Sequence, residues 1–205
     1  MKNTFAGAWT TINYINLDDV INLIVTGKNI NTIIPDGWLS EFIGDRDKPI
    51  IILDFGCGIG RNSFDLAIKN PKWTIIGYDS EQMISRIPEY VKFHYNSPIP
   101  NNLWFISDWE QLKCHKFDKI IAILVFQHIF EKDIIKYCMD IKQMTNFLLV
   151  SGRRYNDDSS NKNTWTILEE QGFIPTKFIS NGKCIPYTSR GDQNEHNTAF
   201  YYFEK

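Results

Sequence analysis

The chain has 205 residues, a formal net charge of −2, 43 % hydrophobic and 22 % charged residues, and a sequence pI near 6.1. That length supports one domain with a real core, and the composition is that of a globular protein. So small a net charge gives no global field for nucleic acid or an anionic membrane, and no apolar run approaches the roughly 20 residues of a membrane span. Met1 to Gly7 holds no signal-peptide core, so a cytoplasmic location is expected. Cys57, Cys114, Cys138 and Cys184 form no C-x-x-C pair, which argues against a thiol metal site, and no metal is expected.

In chain order, residues 1 to 16 carry Phe5, Trp9 and Tyr14 with weak periodicity. A helix is expected from Asp18, with Val20, Ile21, Ile24 and Val25 on one face and Gly27 after it. A second short helix after Pro35-Asp36-Gly37 carries Trp38, Leu39, Phe42 and Ile43. Ile50 to Leu53 then read as a strand buried on both faces. Asp54 ends it, Gly56, Gly58 and Gly60 follow at two-residue spacing, and Phe64, Ala67 and Ile68 recur at helical spacing until Asn70-Pro71. A strand running through a side-chain-free turn into a helix puts backbone N–H groups and a positive helix end at one mouth.

Trp73 to Tyr78 is the second strand, closed by Asp79, with Ser80 placed to cap the next helix and Met83 inside it. Residues 84 to 103 give no clear pattern, because Pro88, Pro98 and Pro100 break any long helix. The third strand runs from Leu103 to Ser107 and ends in Asp108-Trp109, and the fourth from Lys119 to Val125, followed by Phe126-Gln127-His128-Ile129. A helix with Ile134, Ile135, Cys138 and Ile141 on one face leads to the fifth strand, Phe147 to Val150, and then to Arg153-Arg154. After a polar loop and a helix over 164 to 171, two final strands are expected at 173 to 180 and 198 to 203, joined by a loop that carries His196.

The spacing of the glycines selects the ligand. A dinucleotide fingerprint would place its third glycine at Arg61 rather than at Gly60. Asp54-Phe55-Gly56-Cys57-Gly58-Ile59-Gly60 instead resembles the first motif, acid-x-Gly-x-Gly-x-Gly, of the class I S-adenosylmethionine-dependent methyltransferases. The resemblance covers residues 50 to 150 by motif and the rest by order of elements. It implies a Rossmann-like α/β fold with a seven-stranded, mostly parallel sheet, helices on both faces and an antiparallel last strand. It also implies a single domain over 1–205, with a helical lid over 1–48 and the core over 49–205.

The same resemblance implies S-adenosylmethionine as cofactor and S-adenosylhomocysteine as product. Asp54, Gly56, Cys57, Gly58, Gly60 and Asn62 would form the turn around its amino-acid part. Asp79, with Ser80 beside it, would hold the ribose hydroxyls, since one carboxylate accepts several hydrogen bonds. Asp108 would meet the adenine amino group. Met83 is either an adenine neighbour or core filler, and Trp109 either an adenine cover or a lid on the core. Val125 and Phe126 would face the methyl donor. His128 is the candidate general base or substrate contact, because imidazole titrates near neutral pH, although it also suits anchoring a turn. Trp9 and Tyr14 in the lid, one of Arg153 and Arg154, and His196 are the remaining candidates for substrate contact.

Absent segments narrow the acceptor. Relatives that methylate exocyclic base nitrogens or glutamine amides carry Asn/Asp-Pro-Pro-aromatic after the fourth strand, where this chain has Val125-Phe126-Gln127-His128. The Pro-Cys pair of cytosine C5 enzymes and the clustered acids of metal-dependent catechol enzymes are missing too. A small-molecule O- or N-acceptor is the resulting expectation, with neither membrane nor nucleic acid as partner and the oligomeric state left open. The rivals are a protein or RNA methyltransferase and a catalytically silent member of the fold.

Overall fold

The computed structural model describes residues 38–95, 97–123, 125–152, 164–180, 183–186 and 199–204. Trp9, Tyr14, Arg153, Arg154 and His196 lie outside the described residues, as does the expected lid up to residue 37. The chain divides into two compact units, one ending at Leu112 and the other beginning at Lys113.

The first unit holds the glycine turn. It comprises α1 (Trp38–Ile43), β1 (Ile51–Phe55), α2 (Arg61–Lys69), β2 (Thr74–Tyr78), α3 (Glu81–Ile84), α4 (Ile87–His94), β3 (Leu103–Ile106) and α5 (Trp109–Leu112). β1 pairs in parallel with β2, from Ile51 against Thr74 to Phe55 against Tyr78. β2 pairs in parallel with β3, from Ile75 against Leu103 to Tyr78 against Ile106. Parallel strands need a crossover, and α2 supplies the first one. Its buried stripe is Ser63, Phe64, Leu66 and Ala67. Ile68, expected on that stripe, is exposed at 51 %, because it falls one residue past the face set by Phe64 and Ala67. Ile52, Leu53 and Ile75 are fully buried, as continuous apolar strands in such a sheet should be.

The stretch that gave no pattern contains α3 and α4. Pro88 does not break α4; it sits in its first turn, where no intrahelical N–H is needed. Asn102 closes the bottom of this unit: its amide donates to the carbonyls of Ala67 at 3.1 Å, Asn70 at 3.3 Å and Trp73 at 2.9 Å.

The second unit comprises β4 (Lys119–Ile123), a 3-10 turn (Phe126–His128), α6 (Glu131–Met144), β5 (Phe147–Gly152), α7 (Thr164–Glu170), β6 (Ile174–Ser180), β7 (Lys183–Pro186) and β8 (Ala199–Glu204). β4 and β5 are parallel, from Ile120 against Leu148 to Ile123 against Ser151. β8 is antiparallel to β5 and to β6. β7 folds back on β6 as a hairpin, with Ser180 against Lys183. The described residues thus hold one strand more than expected, because Lys183–Pro186 pair with β6 inside what reads as one long loop. The fourth strand also stops at Ile123, short of the expected Val125, which precedes the 3-10 turn. On α6, Ile134, Cys138, Ile141 and Met144 are buried, and the helix packs against α7. Thr145 caps this layer: its hydroxyl meets the carbonyls of Asp118 and Phe147 and accepts the Phe147 N–H at 3.1 Å. The parallel strands with their connecting helices are the α/β Rossmann-like class that was expected. No helix among the described residues is long and apolar enough to cross a membrane.

Candidate cofactor site

The turn between β1 and α2 is built on left-handed backbone. Gly56, Gly58 and Gly60 have φ of 72°, 59° and 82°, a region that a Cβ disfavours. Gly58 and Gly60 have further, different reasons to lack a side chain. A Cβ on Gly60 would stand 2.7 Å from Cζ of Phe105, whereas one on Gly58 would meet nothing within 4 Å among the described residues. Gly60 is therefore closed by packing, and Gly58 faces open space that a ligand can use. Gly77 on β2 completes the arrangement, since a Cβ there would stand 2.6 Å from Phe105 and 2.9 Å from the Cys57 sulfur.

Hydrogen bonds hold the turn to the neighbouring strand. The Gly56 and Cys57 N–H groups both donate to the Tyr78 carbonyl, at 2.8 and 3.0 Å, and the Gly60 N–H donates to the Cys57 carbonyl at 3.0 Å. The Gly58 N–H donates to Oδ2 of Asp79 at 2.7 Å, and the Ser80 N–H to Oδ1 at 2.7 Å. Asp79 is 7 % exposed; burial raises its pKa while the Ser80 and Gly58 donors bring it down. The Ser80 hydroxyl is a third donor to it, so of the four lone pairs on its two oxygens one is left as an acceptor. The side chain is thus oriented by its neighbours and still able to receive a hydroxyl. That suits a ribose.

Asp54 lies deeper. It is 1 % exposed, and Oδ2 accepts the Ser63 hydroxyl at 2.6 Å. Burial pushes its carboxyl up to about 6; the Ser63 bonds lower it and the Asp79 charge raises it. Cys57 is partly buried, with its sulfur 3.6 Å from the Gly58 carbonyl. Burial, then the charges of Asp79 and Asp54, hold its thiol well above the ordinary range, so it packs the turn and is no nucleophile. Asn62 follows in the first turn of α2, partly buried. No side chain caps that helix at Gly60.

The remaining expected residues divide. Ser80 occupies the N-cap position of α3, but its hydroxyl makes no capping bond; it hydrogen-bonds Asp79 instead. Met83 is buried. Asp108 is exposed and accepts the Glu110 and Gln111 N–H groups at 3.0 and 3.4 Å, which caps α5. Trp109 is buried at 7 % exposure, edge-on to Phe55 at 5.3 Å and tilted against Tyr78 at 5.0 Å. In the second unit Val125 and Phe126 are buried and His128 is partly buried in the 3-10 turn. Ser63, Gly77, Tyr78 and Phe105 were missed. Ser63 alone carried a sequence signal: it stands next to Phe64 on the apolar stripe of α2, and a buried hydroxyl there needs a partner.

A left-handed glycine turn, an oriented carboxylate after the second strand and a buried acid beneath them agree with the matching family model. Residues 53–146 match the model described as a methyltransferase domain. These residues are a methyltransferase domain of the class I, S-adenosylmethionine-dependent kind. The enzyme's cofactor is S-adenosylmethionine.

Solved structures agree on the fold. A TehB-like S-adenosylmethionine-dependent methyltransferase from Corynebacterium glutamicum is 15 % identical with a TM-score of 0.60, over 96 % of this chain and 98 % of that one. An S-adenosylmethionine-dependent methyltransferase from Aquifex aeolicus is 16 % identical with a TM-score of 0.60, over 87 % and 95 %. Magnesium protoporphyrin IX methyltransferase from Synechocystis, solved with S-adenosylmethionine bound, is 15 % identical with a TM-score of 0.57, over 93 % and 80 %. Comparison with the curated proteins gives no match.

Proposed function

We propose that this methyltransferase transfers a methyl group to an oxygen or nitrogen of a small-molecule acceptor in the cytoplasm. The carrying observation is the Val125-Phe126-Gln127-His128 segment, which has a histidine and no proline where base- and amide-methylating relatives place their proline pair. The magnesium protoporphyrin IX enzyme, named for a small-molecule acceptor, shares the fold and lends support.

For cofactor binding we assign Asp79 to the ribose, because beside the Gly58 and Ser80 donors it keeps an acceptor site for a hydroxyl. Gly56, Gly58, Gly60 and Asn62 would line the amino-acid end, and Gly58 leaves the space for it. Met83, Asp108 and Trp109 would surround the adenine. When bound, S-adenosylmethionine would supply an electrophilic methyl group on its sulfonium, the carbon–sulfur bond breaking as the acceptor takes the methyl and S-adenosylhomocysteine leaves. His128 takes the proton from the acceptor hydroxyl or ammonium, and a neutral imidazole does so near pH 7. One of Arg153 and Arg154 pairs with an anionic acceptor group, and His196, Trp9 and Tyr14 contribute further contacts. Residues 1–205 act as one domain, with 1–48 as the lid.

Methyl incorporation from labelled donor, measured across small-molecule, protein and RNA fractions of a cell extract, tests this reading. Label should enter the small-molecule fraction, and His128→Ala should reduce turnover roughly 100-fold or more with unchanged S-adenosylhomocysteine affinity. Label confined to protein or RNA overturns the acceptor class. Unchanged turnover in the variant overturns the base.

A further inference from the structure

Ser63 and Asp54 are two of the most deeply buried polar side chains in the first unit, at 0 % and 1 % exposure. They stand at opposite ends of the glycine turn, Asp54 on β1 and Ser63 in the first turn of α2. Their 2.6 Å hydrogen bond spans nine residues of sequence and closes the turn from below. Alanine at 63 would favour the helix more and bury no hydroxyl, so packing alone does not account for serine there.

Charge does account for it. Among the described residues no lysine or arginine pairs with Asp54. The ionisable groups that reach it are Asp79 at the end of β2, which opposes its charge, and the thiol of Cys57 in the turn, which stays neutral. The Ser63 hydroxyl and N–H are the donors that favour its ionised form. A buried anion without a cation is costly unless a ligand brings one. S-adenosylmethionine carries such a cation, the ammonium of its amino-acid end.

We propose that Ser63 is a positioning residue for the cofactor: through Asp54 it keeps a negative charge beneath the glycine turn that favours the cationic amino-acid end. This rests on the turn being the seat of S-adenosylmethionine. The test is calorimetric titration with S-adenosylhomocysteine from about pH 5 to about 7.5, where the ligand's amine keeps its proton. The proteins compared are the wild type, Ser63→Ala, Asp54→Asn and the double variant.

Wild-type affinity should fall as pH drops through about 6, and in Ser63→Ala the same fall should begin at higher pH. At neutral pH Ser63→Ala should bind roughly 3- to 10-fold more weakly. Asp54→Asn should bind weakly with little pH dependence, and adding Ser63→Ala to it should change nothing further, since the serine acts through the acid. A Ser63→Ala profile parallel to wild type, or an added loss in the double variant, overturns the proposal. If Ser63→Ala does not fold, Asp54→Asn still decides: a wild-type pH profile in that variant overturns it. No wild-type binding at any pH removes the cofactor reading itself, and the proposal with it.

Discussion

The three turn glycines share one backbone conformation but differ in what surrounds them, so they should respond differently to the same substitution. Gly60→Ala meets both a φ of 82° and a contact 2.7 Å from Phe105, and should cost about 2–4 kcal/mol of stability by chemical denaturation. Gly58→Ala meets only the φ of 59° and open space. It should cost about 1–2 kcal/mol of stability, while its methyl group occupies ligand space and weakens S-adenosylhomocysteine binding at least about tenfold. Equal destabilisation by the two, with unchanged affinity in both, would contradict the division of roles. Sequence spacing showed that glycine is needed at these positions. It did not show why at Gly60, because that reason lies in Phe105, 45 residues further on.

At the scale of elements, the strands and helices that can be read from the sequence are those whose apolar pattern is self-contained. β1, β2 and α2 were legible since Ile52, Leu53, Ile75, Phe64 and Ala67 are both apolar and buried. α4 was not, since Pro88 signals a break in the interior of a helix and a start in its first turn, and only the fold distinguishes them. β7 was hidden for another reason: four residues are too few to show alternation. Asn102 shows how elements are joined by a residue that no pattern reveals. Its amide serves three carbonyls, at the end of α2, in the loop after it and at Trp73 before β2. Asn102→Ala leaves these acceptors without their donor and should lower stability by about 1–3 kcal/mol. Amide exchange should then speed up first at the C-terminal turn of α2. Exchange accelerated uniformly, or a loss within experimental error, would contradict the link.

For the whole molecule, the buried acid makes stability and cofactor binding pull in opposite directions. In the folded chain Asp54 titrates at about 6, raised by burial from 3.8. Between those values the folded state holds a proton that the unfolded state has lost, so stability falls as pH rises through that window and levels off above about 6. The difference amounts to about 3 kcal/mol at neutral pH. Asp54→Asn, which has no charge to bury, should therefore gain stability relative to wild type as pH is raised from about 4 to about 6.5, as read by thermal melts. A constant difference across that range would show that Asp54 is not charged at the cost of the fold. The retention of such a group beneath a glycine turn agrees with a methyltransferase domain in which the charge serves a ligand.

The most direct measurement is a calorimetric titration of S-adenosylmethionine and S-adenosylhomocysteine into the wild type and Asp79→Ala. The account predicts saturable heat with both nucleosides for the wild type, and affinity lower by roughly 10- to 100-fold in the variant, with the fold retained. No heat from either nucleoside, or equal affinity in the two proteins, would contradict it.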